Sequence, residues 1–462
     1  MNEELKSLQQ KDKDHHLHPF TDHLQLSEKG TRVITRGDGV YIWDAEGHQI
    51  LDAMSGLWCV NLGYGRKELA QAAYEQMEEL PYYNNFFQCT HPPAIELSSV
   101  LGEVSPKGMD HVFFTSSGSE AIDTVVRMVR YYWSLLGKAD KKIILGRNNA
   151  YHGSTIAGAS LGGMRGMHAQ GDLPIPNIHH IQQPYWVAEG GDLDKDTFGK
   201  QVANDLERAI KEHGIENIAG FIAEPIQGAG GVIIPPETYW PEVQNIIDRY
   251  EILLIADEVI TGFGRLGDWF ASSIYEIKPD LISFAKGVTS GYLPLGGVLV
   301  NNRVANTIID EGGEFAHGFT YSGHPAACAV ALKNIEIIKE EKILDEVKSK
   351  TAPYLKEEWL KLADHPLVGE ARIKGLMGAI ELCANKETRE RFSSEGRFTS
   401  LDEISAGSLC RDLSINNGLV MRAVGDTMII APPLIINQEQ IDELIIKATK
   451  TLDDTLAAIN KT

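Results

Sequence analysis

The sequence predicts an α/β protein, with a large unit built on a mostly parallel sheet covered by helices and a smaller α+β unit appended. Three observations carry that expectation. Short β-rich runs alternate with helical stretches between residues 112 and 301, the pattern of parallel strands joined by helical crossovers. Beyond about residue 330 the texture changes to long amphipathic helices around short strand pairs. At 462 residues, 43% of them hydrophobic, the chain has material for a large core and a second one attached to it.

In chain order, residues 1 to 60 are expected to pack with the smaller unit, GVYIWDAEGHQILDA reading as a hairpin turned at Glu46-Gly47. Residues 61 to 330 form the large unit. Its strands read as VFFTS (112–116), KIILG (142–146), IAGFIAEPI (218–226), ILLIADEV (252–259), LISFAKG (281–287) and GGVLVN (296–301). SEAIDTVVRMVRYYWSLLG and PETYWPEVQNIIDRY carry apolar residues at helical spacing between them. Residues 331 to 462 complete the smaller unit: AACAVALKNIEIIKEEKILDEVKSK and QIDELIIKATKTLDDTLAAI read as helices, and strand pairs fall near GLMGAIELC and GLVMRAVGDTMIIAPPL.

Charge and composition exclude whole classes of partner. Against 64 acidic residues stand 43 basic ones, a net charge of −21, which argues against nucleic acid and against anionic membrane surfaces. Five cysteines lie far apart with no C-x-x-C pair, so neither a disulfide framework nor a zinc site is expected and a reducing cytoplasm fits best. The N-terminus MNEELKSLQQKDKDHHLHPF lacks the apolar core of a secretory signal, and no apolar run is long enough to span a bilayer. His15, His16 and His18 raise a metal reading, but the sequence shows no partner ligand at useful spacing; a polar N-terminal arm without metal is expected.

Ligands of parallel sheets gather beyond the carboxyl ends of the strands, and four segments there carry chemistry. ILLIAD ends in Asp257, LISFAK in Lys286, FIAEP holds Glu224, and VFFTS runs into SGSEAIDT at a helix start. A desolvated lysine loses its charge readily and becomes a nucleophile toward carbonyl groups. A fixed acid such as Asp257 can keep a pyridine nitrogen protonated. Ser117, Gly118 and Ser119 can offer N–H groups, hydroxyls and the positive end of a helix dipole to a phosphate. Taken singly, each has a plainer reading: Ser117 as a helix cap, Asp257 as a loop anchor, Lys286 as a surface lysine. Their joint order at strand ends points to a site.

The segments around these residues resemble the class III pyridoxal-phosphate aminotransferases, the ω-aminotransferase family, over nearly the whole chain. LDAMSGLWCVNLGYG, FFTSSGSEAIDT, YHGSTIAGASLGGM, IAEPIQGAGGV, IADEVITGFGR, AKGVTSGYLPLGG, GFTYSGHP and GLVMRAVGDTMIIAPPL carry the resemblance. It is nearest to the amine:pyruvate branch that takes diamines such as putrescine, where DHHLHPFTD and HGFTYSGHP recur. The resemblance implies the type I fold of pyridoxal-phosphate transferases, with a seven-stranded sheet, and a homodimer with shared sites, or a tetramer built from it.

The resemblance also implies a role for each matched position. Lys286 would hold pyridoxal 5'-phosphate covalently and shuttle the proton, and Asp257 would pair with the ring nitrogen. Val259 and Tyr151 would clamp the ring, Ser117, Gly118 and Ser119 would hold the phosphate, and Thr320 would reach it from the partner subunit. Glu224 would support the ring-hydroxyl side. Arg422 would bind the carboxylate of the keto acid and swing out for amines that lack one. Where relatives using 2-oxoglutarate carry a glutamate after Q-G, this chain has Ala229, which favours pyruvate. Gly166 replaces an aromatic of some relatives, and Phe20, Trp58 and Phe86 are expected to line the amine pocket. The implied reaction moves an amino group from a primary amine or diamine to pyruvate. Transfer from an ω-amino acid such as β-alanine, an aminomutase of the same fold, and a non-catalytic binding protein are the alternatives.

Overall fold

The computed structural model describes residues 3–388, 390–392 and 405–461. Its central sheet has seven strands: β1 (His111–Thr115), β2 (Ile143–Arg147), β3 (Ile178–Ile181), β4 (Ile218–Ala223), β5 (Leu253–Asp257), β6 (Leu281–Phe284) and β7 (Gly296–Val300). They lie in the order β1-β7-β6-β5-β4-β2-β3. Every pairing from β6 to β3 is parallel, whereas β7 runs antiparallel to both β6 and β1. Strands β4 to β7 are buried at every position, which is why they read as continuous apolar runs rather than alternating ones. One hydrophobic cluster joins the sheet to helix Gly118–Leu135 through Ile122, Val125 and Val129, and another joins it to helices Lys195–His213 and Tyr239–Tyr250.

Two four-stranded sheets flank this centre. Ile34–Asp38, Tyr41–Asp44 and Gln49–Asp52 form a meander whose last strand pairs in parallel with Leu419–Val420. The turn at Gly47 adopts φ 86, open to glycine at little cost. Val368–Lys374, Met377–Leu382, Thr427–Ile430 and Arg422–Val424 form the other sheet. A single core cluster draws on both ends of the chain, packing Val40, Leu51 and Leu62 with Trp359, Leu444 and Leu452.

Three elements differ from the sequence reading. Strand β3, IHHI, lies at the sheet edge beside β2; its two central histidines hide it from an apolar-run criterion, and an edge strand has only one neighbour to demand such a run. The helix expected over 326–350 is interrupted: it runs Pro325–Glu340, turns at Lys342 with φ 52, and resumes through a π-helical turn, Val347–Thr351, into Ala352–Leu360. Pro353 supplies a reason for the π turn, because it cannot donate to the carbonyl four residues back. The N-terminal arm is structured as helices Glu3–His15 and His23–Lys29.

Candidate active site

The carboxyl edge of the sheet gathers the chemistry. Asp257 is the last residue of β5, Glu224 follows β4, Lys286 lies two residues past β6, and helix Gly118–Leu135 starts three residues past β1. Because β7 is antiparallel, its first residue, Gly296, pairs with Thr115 at the same edge. These residues line one cavity of about 370 Å³, within the roughly 300–1,000 Å³ of small-molecule sites.

The Asp257 carboxylate is aimed by three donors. Oδ1 accepts from the Val259 N–H at 3.1 Å and from the Ser283 hydroxyl at 3.0 Å. Oδ2 lies 2.7 Å from Nδ1 of His152, whose side chain is fully buried and whose Nε2 has no partner among the described residues. Such a carboxylate cannot rotate without breaking several bonds at once. Lys286 takes a left-handed backbone, φ 46, an unfavourable conformation for a lysine that persists where surrounding structure imposes it. Burial pulls its amine below the ordinary lysine range, against the attraction of Cys59, Asp257 and Glu224.

The helix start shows a division of labour. Ser117 Oγ accepts the Glu120 N–H at 3.2 Å while Glu120 Oε2 accepts the Ser116 N–H at 2.7 Å, a reciprocal cap. The Ser117 hydroxyl is thus engaged by the helix, as the plainer reading holds. The N–H groups of Gly118 and Ser119, in a first turn without intrahelical acceptors, remain for a ligand. Ser119 Oγ accepts the Ser154 N–H at 3.0 Å and keeps its own hydrogen to give. Gly118 is pressed against Val259, where a Cβ would come within 3.1 Å of a methyl group. Gly153, at φ 117, lets the chain pass so close to Ser119 that any side chain would collide with it. Glu224 bridges this region: Oε1 accepts the Tyr151 N–H at 3.2 Å and Oε2 the Gly228 N–H at 2.9 Å. Burial pushes its carboxyl up, against the pull of the nearby His152 and the Arg147 guanidinium.

Ser117, Gly118, Ser119, Tyr151, Glu224, Asp257, Val259 and Lys286 all line the cavity. Arg422 opens the strand Arg422–Val424 and is half-buried, with burial lowering its pKa. It lies within electrostatic reach of Lys286 and Tyr151. Ala229 is buried beside the turn at Gly228–Val232, and Gly166 sits in helix Arg165–Gly171 outside the cavity lining.

The aromatic residues differ from the expectation. Trp58 is only 1% exposed and packs in a core cluster with Ile260, behind the wall rather than on it. Phe86 packs on Phe87 and against Gly318, and Phe20 is 77% exposed. None of the three lines the cavity of a single chain, because an aromatic side chain fills core, cavity wall and surface equally well as far as sequence tells. Thr320 is likewise exposed and outside the lining, its carbonyl accepting the Tyr82 hydroxyl.

Sequence reasoning missed His152, Ser283 and Cys59. His152 follows Tyr151 directly, but its bond to Asp257 spans 105 positions and leaves no local signature. Cys59 lines the cavity near Lys286.

This donor set fits pyridoxal 5'-phosphate: a desolvated amine, a fixed carboxylate, free N–H groups at a helix start, and a glycine cradle in one cavity. The family profile described as aminotransferase class-III matches residues 25–452. A Pseudomonas aeruginosa protein named putrescine–pyruvate aminotransferase is 60% identical over 458 residues, 99% of this chain and 98% of its own. A tomato (Solanum lycopersicum) protein named gamma aminobutyrate transaminase 3, chloroplastic, is 42% identical over 95% of this chain and 84% of its own. Among solved structures, an (S)-enantioselective omega-transaminase from Thermomicrobium roseum matches with a TM-score of 0.93 at 42% identity, with 98% of both chains covered. The omega transaminase of Pseudomonas jessenii in complex with PMP matches with 0.94 at 40% identity, over 98% of this chain and 99% of that one.

Proposed function

The chain belongs to the class-III aminotransferase family, and from that premise we propose that it moves the amino group of a primary amine or diamine, putrescine-like, to pyruvate, giving an aldehyde and alanine. Bound pyridoxal 5'-phosphate supplies the electron sink that makes the carbon–hydrogen bond beside the nitrogen acidic. The chain's residues do the rest. Lys286 Nζ, kept neutral more easily than a surface amine, would hold the cofactor and would serve as the base and acid that moves the substrate's proton. Asp257, aimed by His152, Ser283 and the Val259 N–H, would hold a proton on the ring nitrogen. Gly118 and Ser119 would hold the phosphate, and Tyr151 and Val259, which line the same cavity, would restrain the ring. Glu224 would support the ring-hydroxyl side.

The observation that carries the choice of acceptor is Arg422: a half-buried guanidinium near Lys286, with no carboxylate paired to it among the described residues. It can receive a keto acid's carboxylate bidentately. Ala229, where a glutamate would offer an internal partner, leaves that arginine free for a small keto acid. The relative named for putrescine and pyruvate supports the donor. An ω-amino acid donor is the second reading, supported by the relatives named gamma-aminobutyrate transaminases. Amines and ω-amino acids assayed with pyruvate, scored by alanine formed, decide between them; an activity independent of any keto acid would mean an aminomutase.

The working unit is a homodimer. Phe87 is 90% exposed, and Phe20, Leu17 and Tyr321 are exposed too, apolar groups that a second copy would cover. Thr320 lies outside its own chain's cavity, as a threonine serving the partner's phosphate would. Among the described residues no helix is long and apolar enough to cross a membrane, and the five cysteines are unpaired, in keeping with the cytoplasm.

A further inference from the structure

The N-terminal helix ends in a cluster that transamination does not use. His16, just past the helix end, lies at i,i+4 from Asp12, and His18 folds back onto the same carboxylate. His16 Nδ1 lies 3.0 Å from Asp12 Oδ1, and His18 Nε2 lies 2.9 Å from both Oδ1 and Oδ2. A nitrogen equidistant from both oxygens shares a bifurcated hydrogen bond between them, and the same imidazole nitrogen is a metal-ligand atom in its other tautomer. The Thr31 hydroxyl, from the far side of the arm, donates to Asp12 Oδ2, the kind of outer contact that orients a metal-binding carboxylate. The His18 N–H donates to His23 Nε2 at 2.9 Å and fixes the turn between them. Among the described residues no lysine or arginine is paired with Asp12. The partner ligand that the sequence failed to show is therefore Asp12, brought to the histidines by one helical turn and a reversal.

We propose that Asp12, His16 and His18 bind a divalent transition-metal ion, zinc above all. Two imidazole nitrogens and one carboxylate select zinc or its neighbours over calcium and magnesium, which require oxygen. The three donor atoms lie within 4.8 Å of one another. Donors about 2.0–2.2 Å from a tetrahedral centre stand roughly 3.4 Å apart, so the 2.9–3.0 Å pairs need to open by about half an ångström. The exposed side, where His16 is 60% open, leaves the remaining position to water or to a group from another molecule. The ion would tie helix Glu3–His15 to residue 18 and, through Thr31, to the start of the first strand, clamping the intervening segment that carries Phe20.

The test uses the holoenzyme without a histidine tag, stripped with a chelator and dialysed against zinc or cobalt(II). About one zinc per chain is expected by mass spectrometry, with visible cobalt(II) bands of four-coordinate intensity. His16→Gln, Asp12→Asn and His18→Gln should each lose it, His15→Gln should keep it, and Thr31→Val should weaken it about 10- to 100-fold. His16→Gln is the decisive variant, because it leaves the His18 and Thr31 contacts to hold the arm. Less than stoichiometric uptake, or uptake indifferent to His16→Gln and His18→Gln, overturns the site and leaves a hydrogen-bonded clasp.

Discussion

Replacing Arg422 by alanine should separate keto-acid binding from everything else the site does. The guanidinium is half-buried, burial lowers its pKa, and no carboxylate among the described residues answers it. It carries a desolvation cost that the empty chain does not offset, so removing it should leave the melting temperature within about 2 °C of the parent. A structural arginine behaves otherwise. Arg372, bonded to Glu381 at 2.7 Å and to the carbonyl of Val232, would strand a buried carboxylate if truncated, at about 3–5 kcal/mol. Pyruvate bound to Arg422 gains charge-assisted bonds worth about 1.5–3 kcal/mol net, which is roughly 13- to 160-fold in kcat/KM. Stopped-flow single turnovers measure the two half-reactions apart, one with a monoamine lacking a carboxylate and one with pyruvate. Only the pyruvate half should fall by that factor, and Arg422→Lys should recover part of it because a point charge lacks the planar fork. Equal losses in both halves, or a melting temperature several degrees lower, would refute the assignment.

Asp257→Asn should cripple the amine half-reaction, since an amide cannot hold a proton on the ring nitrogen; an unchanged single-turnover rate would remove Asp257 from that role. His152→Gln should slow the same step less and shift the cofactor's absorbance as Asp257 loosens, and an unaltered spectrum with lower stability would make His152 merely structural. In the cofactor-free chain, burial depresses the Lys286 amine below its usual 10.5, so below that pH the unfolded chain binds more protons than the folded one. Lys286→Met should therefore melt higher than the parent at pH 7, with the gap closing as pH rises toward 10.5; a gap independent of pH would contradict this. Lys286→Ala and Thr320→Ala chains, each impaired alone, should complement in a mixed dimer at limiting cofactor, and a mixed dimer no better than the Thr320→Ala homodimer would rule out sharing.

Legibility in the sequence followed the range of the interactions. Asp257, Lys286 and Glu224 were found because each ends or follows an apolar run, and strand ends point at ligands in parallel sheets. β3 was lost because its burial comes from one neighbour only. His152 was invisible for a different reason: its bond to Asp257 joins strand ends far apart in sequence. Asp12 lay within six residues of both histidines, yet the reversal that returns His18 to it is set by the turn after the helix and by His23. Trp58 shows the converse limit. Its type fits a pocket, but its burial among Met54, Ile226 and Ile260 depends on how the flanking sheets close over it.

The reversed direction of β7 bears on how such a scaffold could be retuned. A parallel successor to β6 would have to leave by a crossover helix, carrying the chain away from the site. Here residues 285–295 depart and return at one edge, so the lysine, Thr289, Gly291 and the stretch Leu293–Leu295 all face the cavity within a single loop. Substitutions at Leu293, Pro294 and Leu295 would alter the cavity's shape, and Leu293 and Leu295 also pack in one cluster with helix residues such as Leu97 and Ala331. A designer seeking bulkier amines has there a short, contiguous library that leaves the strands supporting Asp257 and Lys286 untouched.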